Sequence, residues 1–195
     1  MGVNPETVDL NIPRPLPGID SSDYQISRSF TYFVRKVRSV RSMHDIKTSV
    51  KPGELKDWVN DPRFVSLNTT LTDWLKELPR DLQIIYPDDE TPPWLPSHFV
   101  GNMHLYYHLT VLMLRRPQLM HSSTYADGSW RRHMEVCYNS SKAMCRLQEG
   151  ILQTFGLQGL LCMQRGINFV IYAVLTCTMI HLVRYTTRRN LTWYR

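Results

Sequence analysis

The chain has 195 residues, 43% of them hydrophobic and 21% charged, with five Trp, ten Tyr and nine Met. That is enough apolar bulk for one compact domain of the usual ~100–200 residues, and it rules out a chain disordered throughout. A net charge of +6 with a pI near 9.3 permits an acidic or phosphate-bearing partner without identifying one.

Residues 1–22 hold four prolines and no apolar periodicity, which predicts an extended segment. From Asp23 the pattern changes. Ile26, Phe30, Phe33, Val37 and Val40 recur three and four apart, with Arg35, Lys36, Arg38 and Arg41 on the other side, as in an amphipathic helix with a basic outer face. The basic patch reads as a solvated face before it reads as a nucleic-acid surface. Lys51, Pro52 and Gly53 break the chain, residues 54–59 suit a short helix, and Leu67, Leu71, Trp74, Leu75 and Leu78 outline another that Pro79 stops. Residues 77–96, with Asp88, Asp89 and Glu90 ahead of three prolines, form a long loop, a kind that often carries function.

Ser97 is placed to cap a helix over 97–116, closed by Arg115, Arg116 and Pro117. A second long helix is expected over 129–155 and a last one from about 160 to 185. The core of that last helix, INFVIYAVLTCTMIHLV at 167–183, is apolar on every side but short for a membrane span and dotted with Asn168, Thr176, Thr178 and His181. It reads as a buried core helix in preference to a membrane anchor. No stretch alternates with period two, so the expected fold is all-α, an irregular multi-helix domain over 23–185 followed by a divergent tail at 186–195.

Chemistry is sparse. Cys137, Cys145, Cys162 and Cys177 form no C-x-x-C pair and are expected to be reduced, buried hydrophobes. His104 and His108 share a helix face, the spacing of two zinc ligands, but Leu105 follows His104, so H-E-x-x-H is absent and His98 lies well around the helix. Buried histidines satisfied by neighbours are the expected account. No phosphate loop, dinucleotide fingerprint, nucleophile elbow or kinase motif occurs, and the expectation is a non-enzyme with no cofactor of its own.

Two longer strings carry a resemblance. LPRDLQIIYPDDETPPWLPSHFVGNMHLYYHLTVLMLRRPQL at 78–119 and QRGINFVIYAVLTCTMIHLV at 164–183 resemble the fungal-specific transcription factor domain, the middle homology region of zinc binuclear cluster transcription factors. YFVRKVRSVR, VKPGELKDWVNDPRF and WLPSHFVGNMH look most like the regulators of cutinase and fatty-acid utilisation. The resemblance implies the all-helical regulatory domain of a nuclear transcription factor, incomplete at its C-terminal side. It also implies DNA contact only through a six-cysteine zinc cluster that these four cysteines do not supply. It leaves room for a protein partner, self-association or a small effector, with Trp94, His98, His104 and His108 as candidate contacts. The alternatives are a stand-alone remnant that pairs with full-length relatives and, behind it, a membrane-anchored protein.

Overall fold

A computed structural model describes residues 62–121, 128–162 and 166–193. The leading segment 1–22, the amphipathic helix expected after Asp23 and the short helix expected at 54–59 lie outside the described residues. Among the described residues the architecture is all-α with no strand: α1 (Pro62–Lys76), a 3-10 turn (Arg80–Leu82), α2 (His98–His121), α3 (Gly128–Leu161) and α4 (Gly166–Trp193).

Pro62 opens α1, where its missing N–H removes a donor that would have no helical partner anyway. Phe64, Leu67, Leu71 and Trp74, three and four apart, are its buried face. Phe64, Leu67 and Leu71 pack on Val111 and Leu114 of α2, while Trp74 packs on Val100 and Met103, so α1 and α2 run antiparallel. Ser97 caps α2 by accepting the Val100 N–H at 3.2 Å. The helix does not stop at Pro117 but continues to His121. A proline removes one i→i−4 bond, and here the helix absorbs that loss.

On α3, Met134, Cys137, Ser141, Met144, Leu147 and Ile151 are buried at helical spacing, with Arg131, Arg132, Glu135 and Glu149 outside. The helix breaks at Gly156, whose φ of 66° suits a residue without Cβ, and one further turn runs to Leu161. Gly101 lets α2 and α3 approach closely: a Cβ there would stand 2.9 Å from Ile151 Cγ1.

α4 departs from expectation. Phe169, Ala173, Cys177 and Ile180 are buried as part of the main core, but Ile167, Ile171, Val174, Leu175, Met179 and Leu182 are exposed to about half their surface. The helix expected to be buried on all sides is docked by one face. An all-round apolar composition permits full burial without supplying the neighbours that would achieve it.

Candidate functional site

The loop at 77–97 is a strap packed across α2 and α3, with Leu78, Leu82 and Leu95 buried beneath it. Two of the helix histidines meet it from below. His104 donates its Nε2–H to the Leu82 carbonyl at 2.8 Å, and His108 Nε2 is hydrogen-bonded to the Tyr86 hydroxyl at 3.3 Å. Burial lowers the pKa of His104 and drives that of His108 down to about 3, the nearby His104 adding to the second effect. Burial also raises the Tyr86 phenol, against the opposing pull of Arg146. Trp74 and Tyr107 stack beside them with ring centroids 5.3 Å apart.

From above, Arg146 of α3 holds the strap. Its Nε donates to the Thr91 carbonyl at 2.9 Å, its Nη2 donates to Thr91 and Pro87 carbonyls at 2.6 and 2.7 Å, and its guanidinium lies over the Tyr86 ring. The strap tip turns at Glu90, a non-glycine residue at φ 65°, which is ion-paired with Lys142. Asp89 accepts both the backbone N–H and the hydroxyl of Thr91. These hydrogen bonds hold the Asp89 carboxyl below its usual range, and the bond to Lys142 does the same for Glu90.

The four residues singled out from the sequence do not converge. Trp94 projects from the strap and is 78% exposed. His98, at the start of α2, lies edge-on to Phe155 of α3 with centroids 5.6 Å apart. His104 and His108 share a face as their spacing requires, and both are occupied with the strap. Among the described residues no three His, Cys, Asp or Glu side chains gather into a group able to hold a metal ion.

Sequence reasoning missed two polar anchors. Arg146 is one of them. The other is Asn102, fully buried on α2, which donates to the His98 carbonyl at 2.8 Å and to the Gly159 carbonyl at 2.7 Å, tying α2 to the turn beyond the Gly156 break. Neither has a local signature for that role, because the carbonyls that Arg146 meets, and the Gly159 carbonyl that Asn102 meets, are far away in sequence.

A second feature lies between α3 and α4, where an open groove of about 580 Å³ is lined by Cys145, Gln148, Cys177, His181 and Tyr185 among others. Cys145 and Cys177 both line it, and the Cys177 thiol donates to the Ser141 carbonyl at 3.5 Å. Cys177 is buried and Cys145 is exposed, as is Cys162, so only Cys137 and Cys177 meet the expectation of buried thiols. Tyr138 backs the groove, edge-on to His181 at 5.0 Å and covered by the Arg184 guanidinium at 3.5 Å. Compared with protein-family models, curated proteins and solved structures, the chain matches none.

Proposed function

We propose that this chain is the helical regulatory domain of a nuclear RNA polymerase II transcription regulator, acting through protein contact while other parts of such a regulator read DNA. The sequence strings at 94–104 and 164–183 support the family reading; the first falls on the strap with α2, and residues 166–183 of the second fall on α4. The observation that carries the contact role is the outward face of α4, a continuous run of half-exposed Ile171, Val174, Leu175, Met179 and Leu182 along a helix otherwise anchored to the core. Contiguous apolar surface of this kind is uncommon on a monomer and marks interaction sites. The fitting partner is another helical domain, either a second copy or a relative, packing helix on helix.

The test fuses the full chain to an unrelated DNA-binding module beside a reporter gene and compares it with a Leu175→Glu, Met179→Glu double variant. A change in reporter output with the parent, lost in the double variant while helicity and melting temperature hold, is the expected result. An unresponsive reporter with a folded, nuclear parent fusion overturns the proposal.

One observation favours a second reading. Ile167–Thr187 is long and apolar enough to cross a membrane, and only 28% of its most apolar window is buried. To span a bilayer, α4 must leave α3 and expose to water the core that Phe169, Ala173, Cys177 and Ile180 cover, at a cost of about 1.5–3 kcal/mol for each large side chain left bare. A chain that stays with membranes through carbonate extraction would establish that reading and end the first.

A further inference from the structure

The geometry points to Cys145 and Cys177 as a thiol pair that reacts with low-molecular-weight disulfides, Cys145 as the attacking thiol and Cys177 as the resolving one, closing a disulfide between α3 and α4.

Placement separates these two from the other cysteines. Cys145 is exposed at the mouth of the groove, where a disulfide can reach it, and Cys177 is buried directly behind it. The Cys177 thiol donates to the Ser141 carbonyl at 3.5 Å, one helical turn before Cys145 on the same face of α3. The two cysteines therefore share one groove across a helix pair that meets on small residues, Ser141 and Ala173, both fully buried. Closure brings the two sulfurs to a bond of ~2.05 Å.

The surroundings favour reaction at Cys145. The neighbouring Cys177 thiol brings its pKa down to about 7, against desolvation and the charge of Glu149, which favours the thiolate. His181 and Tyr185 complete the α4 side of the groove, and His181 has a buried Nε2 without a hydrogen-bond partner. Elsewhere Cys137 is buried and pushed up to about 12. Cys162 is exposed, but partial desolvation raises its pKa and its S–H is given to the Gly159 carbonyl.

The step balances as two exchanges with a glutathione-type disulfide. The Cys145 thiolate attacks one sulfur, the disulfide breaks, and one glutathione leaves with the electron pair, leaving a mixed disulfide on Cys145. Cys177 then attacks the Cys145 sulfur and expels the second glutathione as thiolate. Two protein thiols are oxidised by two electrons, one small disulfide is reduced to two thiols, and the two protons from Cys145 and Cys177 end on the departing thiolates. In a reducing compartment the pair rests as the dithiol, and a rise in oxidised glutathione closes it.

The test exposes the full chain to oxidised glutathione at neutral pH, quenches it with a thiol-blocking reagent at intervals, and maps all four cysteines by peptide mass. The expected result is reaction of Cys145 roughly tenfold faster than Cys162, ending in a Cys145–Cys177 linkage with Cys137 and Cys162 free. In Cys177→Ala the reaction should stop at a stable Cys145–glutathione adduct. Cys145 reacting no faster than Cys162, or parent protein accumulating the mixed disulfide without the internal bond, overturns the proposal. The parent mapping decides alone if Cys177→Ala does not fold.

Discussion

Arg146 has no carboxylate among its hydrogen-bond partners; it is spent on carbonyls at both ends of the strap tip and on the face of Tyr86. A planar fork can reach Pro87 and Thr91 together, whereas a lysine ammonium is a single point on a flexible stem. Arg146→Lys is therefore expected to behave almost as badly as Arg146→Ala, each losing about 1–3 kcal/mol on the scale of charge-assisted hydrogen bonds, with new proteolytic cleavage within 83–96. Denaturant midpoints and limited digestion check both, and a Lys variant indistinguishable from the parent would mean that charge alone holds the strap. Ser97 is a smaller case of the same logic. Ser97→Ala leaves the Val100 N–H without its acceptor and should cost about 1 kcal/mol.

Between elements the decisive quantity is distance of approach. Gly101 sits where Ile151 and Leu95 close over α2, so Gly101→Val must push Ile151 aside or rotate α2 against α3, an overpacking cost of about 1–3 kcal/mol visible as a lower melting temperature. Ile151→Val should recover part of that loss in the double variant, because it removes Cδ1, one of the atoms in the way. Helix existence was legible in sequence because Leu67, Leu71 and Trp74, or Met134, Cys137, Ser141 and Met144, repeat at the period that one-sided burial imposes. Helix faces were legible only where polar residues marked the other side. On α4 the marking is sparse, with Asn168, Thr176 and Thr178 scattered among apolar residues, and which half is covered depends on α3 reaching Phe169, Ala173, Cys177 and Ile180. The His104 and His108 pair was correctly set on one face, but its partners, a carbonyl and a phenol on the strap, come from the chain path and not from spacing.

At the scale of the whole molecule, the helix histidines make stability a function of pH. His104 and His108 are held neutral by burial, so the folded state binds their protons only below the ordinary histidine value near 6.5, and for His108 only at about 3. The unfolded chain takes up those protons first. Their neutral burial thus contributes stability that is complete above pH 6.5 and is lost as pH falls toward the folded-state values, at about 1.4 kcal/mol per pH unit for each group that is protonated only on unfolding. The depressed Asp89 and Glu90 act in the same direction but only in the ordinary carboxylate range, so the interval from pH 6.5 to 5 isolates the histidines. Denaturant midpoints should decline through that interval in the parent and decline less steeply in His108→Gln, whose amide can keep a hydrogen bond to Tyr86 without titrating. An unchanged slope in that variant would mean that His108 is already protonated in the folded protein, with the strap at Tyr86 open to water.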